Sequence, residues 1–212
     1  MKVFIGHDSR QELNSQVCAS SLGRYNIDFE FIDLKKMGRL GYRREEDGST
    51  EFAYTRFLVP YLSQYKGVAL FCDSDFVWRY SPAGLEQYVK DHPVACVQHP
   101  KMEVRSDFKF KDNKNEWYPK KWWSSLMMFD CSSPDIVKNL TLENINNKPA
   151  SWLHRMEWAG SIGSIPREYN HLVGYYPYDK NAIGVHFTDG SPMYHQYKKE
   201  DYANDYLALT GF

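Results

Sequence analysis

Two aspartates one residue apart, Asp73-Ser74-Asp75, directly follow the apolar run Val68-Ala69-Leu70-Phe71-Cys72. In an extended turn, carboxylates at i and i+2 converge on one cation, or one binds directly and the other through water. With no cation the pair repels: at ~6 Å and an effective dielectric of ~20 the penalty is about 3 kcal/mol. A divalent ion removes that penalty and supplies a Lewis acid suited to a diphosphate leaving group. Oxygen ligands of this kind suit Mg2+ or Mn2+. A solvated acidic turn is the alternative, and D-x-D triplets are common by chance. The buried strand ahead of this one is what points to metal.

The segment Gly184-Val185-His186-Phe187-Thr188-Asp189-Gly190 places a His on a late strand, ahead of a small polar turn. A neutral imidazole nitrogen is a candidate third ligand and tilts the preference from Mg2+ toward Mn2+. A core histidine satisfied by hydrogen bonds is the plainer reading of the same residue. A competing chemistry exists for the aspartates. Asp73-Ser74-Asp75-Phe76-Val77 also fits the D-x-D-x-[TV] pattern of haloacid-dehalogenase-like phosphatases, in which the first Asp is a phosphoryl-accepting nucleophile and the second a general acid. That pattern normally follows the first strand of its fold, whereas here a strand, a helix, a strand and a helix precede it. No Asp-Asp dipeptide occurs in the chain to serve as those enzymes' later Mg2+ pair.

The elements that must hold these residues alternate between strand and helix. Residues 3–5 read as a buried strand, 11–25 as a helix with Leu13, Val17 and Leu22 inward and Gly23 near its end, and 28–34 as a second strand. The charged, Gly-containing stretch 35–50 reads as a loop. Residues 51–64 have helical spacing, with Phe52, Phe57, Leu58 and Tyr61 sharing faces and Pro60 kinking or ending the helix. Strands follow at 67–72, 94–97, 124–129 and 183–187. Helices are expected from Pro134 to about Leu140, over 150–158, and near 202–209. This alternation predicts an α/β fold with a mostly parallel central sheet flanked by helices. Ligands of such sheets lie beyond the carboxyl ends of the strands, which is where both Gly6-His7-Asp8 and Asp73-Ser74-Asp75 fall.

The 212 residues suffice for one domain with a real core. With 26 basic and 27 acidic residues, no global field favours nucleic acid or an anionic membrane, although residues 101–121 are locally basic. The 16 Tyr, 12 Phe and 6 Trp suit sugar faces as well as an aromatic core. Four cysteines without C-x-x-C spacing read as reduced thiols and a cytoplasmic setting. The short apolar N-terminus reads as a first strand rather than a signal peptide, and no apolar run approaches the roughly 20 residues of a membrane span.

Taken in order, five segments resemble GT-A fold glycosyltransferases (Rossmann-like nucleotide-diphospho-sugar transferases), especially the retaining family 8 type. They are Phe4-Ile5-Gly6-His7-Asp8, Phe52 to Pro60, Leu70 to Asp75, Ser124 to Asp130, and His186 to Gly190. They also resemble the amino-terminal glycosyltransferase domain encoded by large chlorella viruses, which would place a viral chain in the host cytoplasm. The resemblance spans nearly all of 1–212, read as a single domain or as the N-terminal part of a longer protein. It implies a metal-dependent hexosyl transfer from a UDP-sugar donor to a glycan acceptor, with retention, using Mn2+ or Mg2+. By the same resemblance Asp73, Asp75 and His186 would hold the cation. His7 and Asp8 would face the base, and Arg56 would reach the donor phosphate or sugar. Ser74, Ser124, Ser125 and Gly190 would line the donor. The family's Asp-Gln-Asp motif is absent, leaving Glu157 as the available carboxylate near the anomeric carbon. The closing Lys is also unmatched, with Lys198 or Lys199 as substitutes. Trp117, Tyr118, Trp122 and Trp123 read as an acceptor platform, a lid, or core. A third reading is a catalytically inactive, sugar-binding relative.

Overall fold

A computed structural model describes residues 1–44, 48–109 and 113–211 of the protein. The strands in chain order are β1 (Lys2–Gly6), β2 (Phe29–Ile32), β3 (Val68–Cys72), β4 (Phe76–Trp78), β5 (Val94–Cys96), β6 (Phe108–Lys109), β7 (Asn113–Lys114), β8 (Leu126–Asp130), β9 (Ile162–Ser164), β10 (His171–Leu172) and β11 (Gly184–His186). The α-helices are α1 (Glu12–Gly23), α2 (Leu34–Arg39), α3 (Val59–Leu62), α4 (Pro134–Asn139), α5 (Leu142–Asn147), α6 (Ala150–His154) and α7 (Ala203–Leu207).

The main sheet has six strands in the order β2-β1-β3-β8-β5-β9. Pairings β1–β2, β1–β3 and β5–β9 are parallel, and β8 runs antiparallel to both its neighbours. The expected mostly parallel α/β sheet is therefore present. Its central strands are buried on both faces, which is why their sequences are continuous apolar runs rather than alternating ones. Along β3, Ala69 and Phe71 join a core with Phe52, Phe57 and Trp158. Leu70 and Cys72 face the other side, among Ile5, Cys18 and Leu22. A second sheet, β10-β11-β4, sits over a third core containing Val17, Val77, Val185, Phe187 and Tyr206.

The two sheets meet at the acidic turn. β3 ends at Cys72 and β4 starts at Phe76, so only Asp73, Ser74 and Asp75 carry the chain from one sheet to the other. The main sheet's ladder extends to Asp73, whose amide donates to Ser125 O at 2.9 Å. The second sheet's ladder extends to Asp75, whose carbonyl accepts from Phe187 N at 3.0 Å. In the antiparallel β4–β11 register Phe76 lies opposite His186. Strand pairing alone thus delivers the late-strand imidazole to the acidic turn.

Several elements differ from the pattern in the sequence. The loop expected over 35–50 opens with α2, capped by Asp33, whose carboxylate accepts from Lys35 N and Lys36 N; Glu45, Glu46 and Asp47 lie outside the described residues. The helix expected over 51–64 is a turn, a 3-10 stretch at Thr55–Leu58 and then α3. Every residue from Phe52 to Pro60 is buried, so no amphipathic face exists to hold a regular helix on a surface. Gly6 lets this segment close on the sheet edge: a Cβ there would sit 2.5 Å from the Phe52 ring. The helix expected over 150–158 stops at His154, because Met156 turns left-handed at φ 54°. The four cysteines are free and buried, with Cys18 and Cys72 sulfurs 3.9 Å apart. Among the described residues no helix is long and apolar enough to cross a membrane.

Candidate active site

At the seam, Asp73, Asp75 and His186 bring one ligand atom each to within 4.8 Å of one another. Asp75 and His186 are almost fully buried. His186 Nε2 lies 3.3 Å from Asp75 Oδ1, which is buried and accepts no hydrogen bond. The imidazole is stacked on Phe76, with centroids 4.6 Å apart and planes 19° apart, so it has little freedom to turn away. A buried carboxylate oxygen left without a donor costs free energy unless a cation meets it. The donor set of two carboxylates and one imidazole suits a divalent ion, and the imidazole favours a borderline metal such as Mn2+ over Mg2+. The three residues fit such an ion.

Arg56 closes the cluster from the main-sheet side. Its Nη1 is 2.8 Å from Asp73 Oδ1 and 2.8 Å from Ser124 O, and its Nε donates to Phe52 O at 3.2 Å. The guanidinium is buried and rests near the Phe52 and Phe71 rings. Two backbone carbonyls and the Asp73 carboxylate thus fix the side chain within the irregular segment 52–60.

These groups open into a cavity of about 330 Å3 whose walls include Gln11, Thr50, Tyr54, Tyr118, Lys121, Trp122, Ser124, Ser125, Ser151, His154, Arg155 and Thr188. Asp73 and Asp75 are its two lining carboxylates among the described residues, against the cations Arg56, Lys121 and Arg155. Lys121 is buried, donates to Asn115 Oδ1 at 3.0 Å and Glu116 O at 2.6 Å, and lies near the Tyr118 and Trp122 rings. In the sequence it only ended a basic stretch. His154 Nδ1 sits 3.1 Å from Ser124 Oγ. Of the aromatic cluster at 117–123, Tyr118 and Trp122 face the cavity.

Other residues singled out in the sequence lie elsewhere. Asp8 is fully buried at the end of β1, and its oxygens accept from Arg10 N, Nε and Nη2 and from Glu51 N. Burial pushes its carboxyl up, but the Arg10 side chain and the two amides outweigh that and hold it below its usual 3.8. Asp8 therefore ties down the segment leading to Phe52. His7 Nδ1 is 3.1 Å from Ser15 Oγ. Neither His7, Asp8, Ser74 nor Gly190 is among the cavity's lining residues, whereas Gln11 is. Gly190 has φ 154°, and a Cβ there would strike the Tyr197 ring at 2.1 Å. Glu157 is exposed and outside the cavity wall, carried away by the turn at Met156. Lys198 and Lys199 are exposed and also outside it.

Protein CDI of Arabidopsis thaliana is 35% identical to the chain over 223 residues, covering 97% of the chain and 84% of that protein. The chain belongs to the family of Protein CDI. No family model matches it. Its fold is that of solved GT-A structures. The apo structure of the bifunctional glycosyltransferase WbbM superposes with a TM-score of 0.68 at 12% identity, over 100% of this chain and 49% of that one. This chain thus spans about half of WbbM. The galactosyltransferase LgtC, solved with donor and acceptor sugar analogues, gives 0.63 at 12% identity, over 100% of this chain and 95% of that one. A glycosyltransferase involved in glycosylation of the major capsid of PBCV-1 gives 0.51 at 12%, over 91% and 94%. At these identities the likeness establishes the fold.

Proposed function

We propose that the protein is a metal-dependent glycosyltransferase that moves a hexosyl group from a UDP-sugar to a glycan hydroxyl, with retention at the anomeric carbon. The observation that carries this is the Asp73–Asp75–His186 cluster, buried at the seam of a GT-A sheet and opening into a cationic cavity. Among the described residues the cavity's cations outnumber its carboxylates by one. A bound divalent ion raises the surplus to about three charges, which matches a nucleoside diphosphate far better than a neutral sugar. Bound there, Mn2+ or Mg2+ supplies Lewis-acid stabilisation of the departing diphosphate.

The chain's own residues do the rest. Asp73, Asp75 and His186 would hold the ion, and Arg56 pairs with Asp73 at 2.8 Å. Arg56 and Lys121 place positive charge where the leaving diphosphate gains negative charge. In the transfer, the bond from C1 to the phosphate oxygen breaks with its electron pair leaving on phosphate. The acceptor oxygen bonds to C1, and its proton passes to the leaving phosphate. Retention by same-face attack is supported by the cavity's composition: no carboxylate beyond the cation pair lines it among the described residues, so a covalent glycosyl–carboxylate route has no evident nucleophile. Tyr54, Tyr118, Trp122 and His154 line the cavity and supply rings of the kind that pack on sugar C–H groups. The phosphatase reading fits less well, because Asp73 is held by Arg56 at 2.8 Å rather than presented as a nucleophile.

The test is incubation with Mn2+ and a panel of UDP- and GDP-sugars, with and without glycan acceptors, while following nucleotide diphosphate release. Release of UDP that depends on metal supports the proposal. Phosphate release from phosphomonoesters would replace it with the phosphatase reading, and donor binding without turnover would favour an inactive relative.

A further inference from the structure

Behind the imidazole runs a line of buried hydrogen bonds that ends on a backbone carbonyl. His186 Nδ1 is 3.0 Å from Asn170 Oδ1. Asn170 Nδ2 is 2.9 Å from Ser125 Oγ. Ser125 Oγ is 2.6 Å from Trp122 O. Asn170 is completely buried in the 3-10 turn Arg167–Asn170 that leads into β10, and Ser125 is buried just ahead of β8. Asn170 belongs to no motif in the sequence.

The far end fixes every proton in the line. Trp122 O can only accept, so the Ser125 hydroxyl donates to it. Ser125 Oγ is then left to accept, so the Asn170 amide group facing it is NH2. That turns the Asn170 carbonyl oxygen toward His186, and His186 must donate from Nδ1. A neutral imidazole has a single N–H, so Nε2 carries the lone pair, aimed at Asp75 Oδ1 3.3 Å away. Two acceptors facing each other in a buried site repel, and a cation between them turns both into ligands. Stacking on Phe76 holds the ring plane while Asn170 holds the tautomer.

We infer that Asn170, oriented by Ser125, is a positioning residue that keeps the His186 proton on Nδ1 and so presents Nε2 to a divalent cation. This deepens the metal reading of the site and rests on it. It also gives Ser125, which lines the cavity, a role in supporting the imidazole.

Two measurements on the full chain test the inference separately. The first needs no metal: long-range 1H–15N correlation spectra of the 15N-His-labelled protein at pH 8 report which nitrogen of His186 is protonated, with His186→Gln giving the assignment. The expected result is the Nδ1–H form in the wild type and a shift toward Nε2–H in Asn170→Ala and Ser125→Ala. An Nε2–H or doubly protonated ring in the wild type overturns the inference. The second is a Mn2+ titration followed by the electron paramagnetic resonance of free Mn2+. Asn170→Ala should weaken Mn2+ binding roughly 10–100-fold, and Ser125→Ala by less. Asn170→Asp, which restores an acceptor to Nδ1, should recover most of the affinity. A purely structural role would lower the melting temperature while leaving the Mn2+ dissociation constant unmoved, and that result also overturns the inference. Should Asn170→Ala not fold, Ser125→Ala carries both arms. An Nδ1–H wild type that binds no Mn2+ defeats the metal reading while leaving the positioning role of Asn170 standing.

Discussion

Replacing Asp75 by asparagine keeps the side chain's shape and removes its charge. Two opposite effects follow. Without metal, the wild type holds two carboxylates whose ligand atoms fall within 4.8 Å. At an effective dielectric of ~20 that separation costs about 3.5 kcal/mol, and the Arg56 cation beside Asp73 reduces the net penalty on Asp75. Asp75→Asn should therefore stabilise the metal-free protein by about 1–2 kcal/mol, or roughly 3–6 °C for a chain of this length. With Mn2+ at a hundred times its dissociation constant, the wild type should gain about 2.7 kcal/mol, near 5–10 °C. If losing a charged ligand weakens Mn2+ by about 100-fold, the same Mn2+ concentration leaves the variant only ~0.4 kcal/mol, about 1 °C. Differential scanning calorimetry of both proteins, with Mn2+ and with chelator, reads all four values. An undiminished Mn2+ shift in the variant would refute the ligand assignment. A metal-free variant several degrees less stable than the wild type would refute the repulsion argument.

Arg56→Met breaks a buried ion pair, which should cost roughly 3–5 kcal/mol in metal-free urea unfolding; Mn2+ should recover more stability in this variant than in the wild type, because the ion then alone neutralises Asp73. His99 is held down to about 3 by burial first and by the nearby His186, His171 and Arg167 charges. The unfolded chain, with an ordinary histidine near 6.5, thus binds more protons between pH 6.5 and 3. Stability should fall as pH drops through that window, by up to ~1.4 kcal/mol per unit from this residue, and urea midpoints of His99→Gln should show a flatter slope. Lys121→Met should weaken UDP binding in Mn2+ at least about tenfold by calorimetric titration, while Lys198→Ala and Lys199→Ala, on exposed side chains, change it by less than about twofold.

What the sequence made legible is what strand burial writes directly. The apolar run ending at Cys72 fixed the central strand, and with it the carboxyl-end position of Asp73 and Asp75. The late strand around His186 was equally plain. Its partner was not: β4 is only three residues long and starts where the acidic turn ends, so the switch between sheets that joins Asp75 to His186 leaves no periodic mark. α2 had a local signal, the capping Asp33 followed by Leu34 and Met37, masked by the charged residues around it. Lys121 and Asn170 carried none, because a buried polar residue in a loop looks like any solvated one until its partners are placed. Glu157 shows the converse failure. It was singled out only as the carboxylate the resemblance leaves near the anomeric carbon, and nothing local showed that a left-handed Met156 ends the helix before it and leaves it exposed, outside the cavity wall.

In the proposed function Asp75 and His186 would share a divalent ion with a bound nucleotide diphosphate. Anomalous diffraction at the manganese edge, from crystals soaked in Mn2+ and UDP, tests it most directly. One strong peak is expected at about 2.0–2.3 Å from an Asp75 carboxylate oxygen and His186 Nε2, with phosphate density on its open side. A peak elsewhere, or UDP bound with Asp75 and His186 still facing each other and no ion between them, would contradict it.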